Sequence, residues 1–342
     1  MSTVLASSIT LTEIREASKA IAPFLKETPI LTLAAFNSFF GHDVAFKLEN
    51  LQETGAFKVR GVINVLTNLK KRKIVPQKVV TYGTGNHGIA LAWASKFFGI
   101  EEVKIYLPAC TSETKKRMAS EYGAKVVITS TREAAESRAQ VDSRKVNCCL
   151  IPPSDNDDVI SGAATVVYEV LRKKKDIDSI FVPIGGGSLS SGTILSKNYI
   201  SSKIQVYAGE PQQANDASIS YNTGDIFRFK ETPKTIADGA TALGLTRRVF
   251  NYIKDLDGIY EISEKEIAYW TMQFLNLSGI ICEPTSALAI AAAYRWAKEI
   301  GDTTRKKILI VITGGNVSID TKKAIFSDDL LKISPDKIIL ND

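Results

Sequence analysis

Short runs of β-branched and aliphatic residues alternate along the chain with longer stretches whose apolar positions recur every three or four residues. That alternation is the signature of parallel βαβ units, so the fold class read from it is α/β. Val79 to Tyr82, Val103 to Leu107, Lys125 to Ile128 and Val146 to Ile151 read as strands. Helical stretches separate them near Ile89 to Phe98, Glu113 to Tyr122 and Glu133 to Arg144. These four strands suit one compact sub-domain, residues 79–149. A second set, Ser179 to Pro183, Gln205 to Gly209 and Ile308 to Thr313, builds a larger lobe from residues 1–78 and 150–342, with a capping box at Ser263 and Glu266 opening a helix. Asn215 to Thr246 is rich in turn residues and shows no long period, so it reads as loops at a surface or active-site mouth. From Ser327 onward the chain is polar, and reads as a poorly ordered end or an edge strand.

Composition changes this picture little. With 342 residues, 44% of them hydrophobic and 23% charged, the chain has ample material for a buried core. A net charge of +6 raises the question of nucleic acid, yet only Lys70-Lys71-Arg72-Lys73 and Arg172-Lys173-Lys174-Lys175 cluster, each ending a helical stretch where cations complement the macrodipole. Nucleic-acid binding is therefore not expected. Met1 to Leu11 lacks a basic start with an apolar core, and no apolar run approaches the roughly 20 residues that span a bilayer, so no membrane partner and a cytoplasmic location are expected. Four cysteines without C-x-x-C spacing and only two histidines disfavour a zinc site, a disulfide framework and a Ser-His-Asp hydrolase.

Three glycine-rich turns carry the candidate chemistry. Gly83-Thr84-Gly85-Asn86-His87-Gly88 follows a strand and opens a helix, formally matching the G-x-G-x-x-G dinucleotide fingerprint. The next strand, however, ends Ile105-Tyr106-Leu107-Pro108 without the acidic residue that would hold a ribose, which weighs against a nicotinamide oxidoreductase. Gly185-Gly186-Gly187-Ser188, again between strand and helix, can present successive N–H groups at a helix N-terminus and reads as a phosphate cup. A Walker A reading fails because Thr193 follows Gly192 where Lys is required. Thr313-Gly314-Gly315-Asn316 closes the apolar strand at the end where α/β proteins place ligands.

Taken in order with Gly55-Ala56-Phe57-Lys58-Val59-Arg60-Gly61 and Glu283-Pro284-Thr285-Ser286, these turns resemble the fold type II (tryptophan synthase β-like) pyridoxal-phosphate (PLP) family. The resemblance is closest to serine/threonine dehydratases and serine racemases, and runs from about Glu13 to Thr321. It implies a two-lobed fold with the smaller domain inserted in the larger, a homodimer, and Lys58 as the Schiff-base lysine. A lysine suits that place because a desolvated amine is a nucleophile and, once freed, a base. It further implies Phe57 beside the cofactor, Asn86 at its 3-hydroxyl oxygen, phosphate on Gly185, Gly186, Gly187, Ser188 and Leu189, Thr313 at the pyridine nitrogen and Glu283 near the substrate entrance. Thr84, Gly85, Asn86 and His87 would grip the substrate carboxylate. Glu210, Ala214 and Asp216 match the family's site for a divalent cation, Mg²⁺, Mn²⁺ or Ca²⁺, an oxygen donor set that suits these ions.

The chain departs from the family pattern at Ala56 and Ser188, and most consequentially at Thr84, where racemases place a serine as a second acid/base. A β-branched threonine keeps the hydroxyl but restricts it. The expected activity is accordingly an ammonia-lyase: Lys58 removes the α-proton of L-serine or L-threonine and the β-hydroxyl leaves, giving pyruvate or 2-oxobutanoate and ammonia. Serine racemisation by Lys58 and Thr84, dehydration of 3-hydroxyaspartate, and a PLP-binding protein without turnover are the alternatives.

Overall fold

The computed structural model describes residues 9–301 and 304–340. Among the described residues, ten strands form two sheets. The larger has the order β1-β2-β10-β7-β8-β9, from β1 (Ile30–Thr32), β2 (Asp43–Leu48), β10 (Lys307–Ile312), β7 (Ser179–Pro183), β8 (Gln205–Pro211) and β9 (Gly258–Ile262). All its pairings are parallel except that of β1 with β2. The smaller, β5-β4-β3-β6, is wholly parallel and comprises β3 (Lys78–Tyr82), β4 (Glu102–Pro108), β5 (Lys125–Thr129) and β6 (Cys148–Leu150). The α/β reading thus holds, with the strands divided between two sheets.

Central strands such as β10, Lys-Ile-Leu-Ile-Val-Ile, are apolar at successive positions because helices cover both faces. Against one face of the large sheet lies the Ala-rich helix Pro284–Ile300, whose small side chains let it sit close, flanked by an aromatic cluster in which Phe36 and Phe46 meet edge to face at 4.6 Å. The other face is covered by Asp157–Leu171 and Ser188–Ile200, through Val166, Val170, Ile180 and Val206. A separate core around Ile89, Ile105 and Leu107 serves the small sheet.

Two sequence expectations are corrected. Asn215 to Thr246 is not all loop: Asp216–Thr223 is a helix whose buried side chains include Asp216, Ser218 and Ser220, so no apolar period announces it. Beyond Ser327 the described chain forms neither an edge strand nor irregular structure alone, since Pro335–Leu340 is helical with proline at its first position. The Ser263–Glu266 capping box is present, opening Glu264–Ser278.

The turns that follow β3, β7, β8 and β10 all leave the C-terminal ends of parallel strands, where such folds gather ligands.

Candidate active site

Lys58 is the first residue of the helix Lys58–Lys71. The approach to it is tightly held: Ala56 pairs with Gly314, and the Phe57 N–H donates to the Thr313 carbonyl at 3.0 Å. Gly55 has φ +71°, and a Cβ there would lie 2.4 Å from Asn316 Oδ1. The Lys58 Nζ donates to the Pro153 carbonyl at 2.7 Å and to Ser188 Oγ at 3.1 Å, and sits 5.0 Å from the Phe57 ring centroid. Burial pushes its pKa down to about 7, the charge of Arg132 adds to this, and Glu283 opposes it. Near neutrality much of the amine is therefore uncharged and nucleophilic.

The cup follows β7. Glycine is needed at each of its three positions, because a Cβ would come within 2.7 Å of the Gly239 carbonyl at Gly185, 2.8 Å of Ser154 Oγ at Gly186 and 2.3 Å of Val249 at Gly187. Among the described residues, the N–H groups of Gly185, Gly186, Gly187, Ser188 and Leu189 have no protein partner. Five unpaired donors at a helix start are a site for an anion of phosphate type.

Thr313 forms the opposite wall. Its hydroxyl lies 3.0 Å from Ser286 Oγ, which also accepts from the N–H of Thr313 and Gly314. Asn86 donates to both oxygens of Glu283 at 3.0 Å and accepts from Asn316 Nδ2 at 3.0 Å, so its amide is engaged within the protein. Glu283 is raised by burial, opposed by Lys115, whose Nζ lies 3.4 Å away and donates to Asp238 at 2.7 Å.

Thr84, Asn86 and His87 line the same cleft of about 710 Å³, counted with its open mouth. Gly85 lies beneath the loop at φ +125°, where a Cβ would lie 2.6 Å from the Lys115 stem. His87 Nε2 lies 3.0 Å from the Ile151 carbonyl and donates to it, burial lowers the ring pKa to about 3, and Nδ1 is left as a buried acceptor without a partner.

Sequence reasoning missed Arg132. It opens the helix Arg132–Asp142, lines the cleft, and donates through Nη1 to the Thr241 carbonyl at 3.1 Å and hydroxyl at 3.4 Å. Among the described residues no carboxylate accepts from it. Its position just beyond the C-terminal end of β5 was the available signal. Lys115 and Asp238 were also missed. They come from distant segments and meet only through the packing of the small sheet's helices on the large lobe.

At the end of β8, Glu210 accepts from the N–H groups of Ala217 at 3.0 Å and Ser218 at 2.8 Å, while Ala214 is fully buried. Both Asp216 oxygens are buried without a hydrogen bond. Burial pushes Asp216 up to about 7 and holds Glu210 well above the usual carboxylate range, with Asp216 adding to the latter. A buried carboxylate without a donor, beside a second met only by backbone N–H groups, is a costly arrangement unless a cation joins them.

A desolvated lysine amine beside a run of unpaired amides, with a threonine hydroxyl lining the same cleft, has the chemistry to hold a phosphorylated aldehyde. The chain belongs to the family of pyridoxal-phosphate dependent enzymes, whose pattern it matches over residues 21–314. Within that family its relatives place it among serine racemases and hydroxy-amino-acid ammonia-lyases. Serine racemase of Dictyostelium discoideum is 37% identical, over 94% of this chain and 99% of that protein. L-threo-3-hydroxyaspartate ammonia-lyase of Saccharomyces cerevisiae is 32% identical over 92% of this chain and 95% of its own length. The solved serine racemase of maize superposes with a TM-score of 0.85 at 30% identity, over 94% of this chain and 98% of that one. A threonine deaminase from T.th. superposes with a TM-score of 0.84 at 29% identity, over 91% of this chain and 99% of that one. The protein is thus a PLP-dependent enzyme, and the unpaired amides and desolvated amine fit that cofactor.

Proposed function

We propose that the enzyme removes water from L-serine or L-threonine, giving pyruvate or 2-oxobutanoate and ammonia. The observation that carries this reading is the Lys58 amine, desolvated to about pKa 7 and poised 3.1 Å from Ser188 at the lip of the amide cup. Lys58 would hold the cofactor, with Phe57 against it. Gly185, Gly186, Gly187, Ser188 and Leu189 would hold its phosphate, and Thr313 would face the ring nitrogen. When bound, PLP supplies an electron sink for the negative charge left at the substrate α-carbon. Thr313, a neutral hydroxyl, would hydrogen-bond the ring nitrogen without the charge a carboxylate would bring.

The chain's own residues do the rest. Backbone N–H groups of the Thr84 to His87 loop orient the substrate carboxylate. The Lys58 amine, when free, would take the substrate's α-proton and return it to the departing hydroxyl, which leaves as water. The released enamine hydrolyses in solution. Asn86 and the buried Glu283 hold each other within the cleft.

Two observations support a second reading, in which the product is the inverted amino acid or the substrate is 3-hydroxyaspartate. The Thr84 hydroxyl lines the cleft, where it could return a proton to the face opposite Lys58, and Arg132 has guanidinium donors that no carboxylate among the described residues accepts, suiting a second carboxylate on the substrate.

We further assign the divalent cation to Glu210, the Ala214 carbonyl and Asp216, and read residues 79–149 as a small domain that carries the substrate loop. A homodimer suits the exposed Leu51, Ile281, Ile319 and Phe326, and a reducing compartment such as the cytoplasm suits four free cysteines.

The test is to reduce the purified enzyme with borohydride, map the labelled lysine, and incubate untreated enzyme with L-serine, L-threonine and 3-hydroxyaspartate while measuring 2-oxo acid and the chirality of the remaining amino acid. Label at Lys58 with 2-oxo acid from serine or threonine is the expected result. Label elsewhere, or D-serine as the main product, sinks the first reading.

A further inference from the structure

Behind Lys58, on the side away from the cleft, lies a cluster of charges that the reaction does not use. Arg60 is fully buried, and its guanidinium is spent on two carboxylates. Nε and Nη2 donate to Glu49 at 2.7 and 2.8 Å, and Nη1 and Nη2 donate to Glu169 at 2.6 and 2.9 Å. Lys47, 1% exposed, donates to Glu169 at 2.7 Å and to the Thr28 carbonyl at 2.9 Å, and the Thr28 hydroxyl donates to Glu49 at 2.5 Å. Thr165 accepts a further Arg60 bond at 3.2 Å. Two cations and two anions cancel, and each charged group finds its partners inside the cluster.

Such a quartet is a poor device for stability alone, because desolvating four charges costs about what their attraction returns, and apolar replacements of similar volume often fold as well or better. Its geometry does something else. Glu49 follows β2, Arg60 stands in the first turn of the Lys58 helix, and Glu169 belongs to the helix Asp157–Leu171, so the cluster pins three elements at one point. Next to it the two helices touch backbone to backbone, since a Cβ on Gly162 would lie 2.6 Å from the Gly61 Cα. The planar fork of Arg60 fixes direction as well as distance in a way an apolar contact cannot.

We infer that Arg60, held by Glu49, Glu169 and Lys47, is a positioning residue that sets the pitch and depth of the helix start from which Lys58 reaches the cofactor. Upstream, Phe57 and Ala56 tie that start to the strand bearing Thr313; downstream, the Arg60 quartet and the glycine contact tie it to Asp157–Leu171. Lys58 is a long side chain on a short lever, and a shift of about 1 Å at its base misplaces the amine enough to cost on the order of a hundredfold in rate. This inference rests on Lys58 being the cofactor lysine.

The test compares the parent with Arg60→Lys, with a variant carrying Met at all four positions, Lys47→Met, Glu49→Met, Arg60→Met and Glu169→Met, and with Phe40→Leu as a stability control in the aromatic core. Expected for the all-Met chain are a Tm near the parent's, full cofactor content, kcat down by about tenfold to a hundredfold and KM within about twofold. The visible circular dichroism of the bound cofactor should change. In the cofactor-free protein, the pH midpoint for acylation of Lys58, read by mass spectrometry, should move up from about 7 toward the ordinary 10.5. Arg60→Lys, which keeps charge and loses the fork, should fall between the two.

A folded all-Met chain with unchanged kcat and an unchanged Lys58 midpoint would overturn the inference. Should that chain not fold, Arg60→Lys decides: a kcat no lower than that of Phe40→Leu at equal Tm also overturns it. Borohydride labelling of another lysine in the parent would instead strike the proposed function, and is read separately.

Discussion

At the scale of single residues, the chemistry turns on which protonation state each group holds. The Lys58 pKa is drawn down to about 7, first by burial and then by Arg132, so its neutral fraction rises with pH through that value. Recombination of the cofactor-free protein with PLP, followed by absorbance, should therefore quicken about tenfold per pH unit below 7 and level off above it; a lysine of ordinary pKa would keep accelerating toward 10.5. Thr84 is the residue on which elimination and inversion part. Replacing it by alanine should abolish any D-serine formed while leaving most 2-oxo acid production, and replacing it by serine, freed of the methyl that restricts χ1, should raise the D-serine share severalfold; chiral chromatography checks both. Thr84 and Thr313 were legible as candidates because each sits in a glycine-rich turn at a strand end, whereas Lys58 and Phe57 stood out only through the family resemblance that the segments carry together. Arg132, Lys115 and Asp238 were not legible, since charged residues on helices and loops look alike until folding brings them to one cleft.

Among the elements, the turn from β7 into Ser188–Ile200 is the most demanding. Gly187 combines φ +77° with a neighbour 2.3 Å from where a Cβ would stand, so Gly187→Ala meets both backbone strain and a clash with Val249. A stability loss of about 1–3 kcal/mol is expected, with a larger proportional loss in cofactor content, measured by denaturant unfolding and by the visible absorbance of the purified protein. The strands and helices of the small sheet follow their apolar patterns to within a few residues, because each is half-buried or fully buried in the ordinary way. Asp216–Thr223 escaped notice for the opposite reason: the side chains it turns inward are Asp, Ala and Ser, so no apolar period reveals the helix. Pro335–Leu340 was missed because six residues are too few to show a period at all.

For the whole molecule, the assigned cation is the test of how the parts share stability. Glu210 at the end of β8 and Asp216 just beyond it have no hydrogen-bonded cation among the described residues, and Arg132 partly offsets the charge of Asp216. Chelation should lower Tm by several degrees, and added Mn²⁺ or Mg²⁺ should restore it, since a ligand at a hundredfold excess over its Kd contributes about 2.7 kcal/mol. Asp216→Asn should remove the response to added metal, as read by differential scanning fluorimetry. The lobed α/β plan was clear from the alternation of strand and helix, but the pairing of β1 antiparallel at the sheet's outer edge was not, because three residues carry no pattern of their own.

The amide cup between Gly185 and Leu189 has one more consequence. Its donors belong to the main chain, so trimming side chains toward alanine elsewhere in the protein would leave all five N–H groups in place. At Gly185, Gly186 and Gly187 a substitution does its damage by adding atoms. Over sequence drift, that makes the cup tolerant in chemistry and intolerant in volume, a site guarded by the space it denies to any side chain.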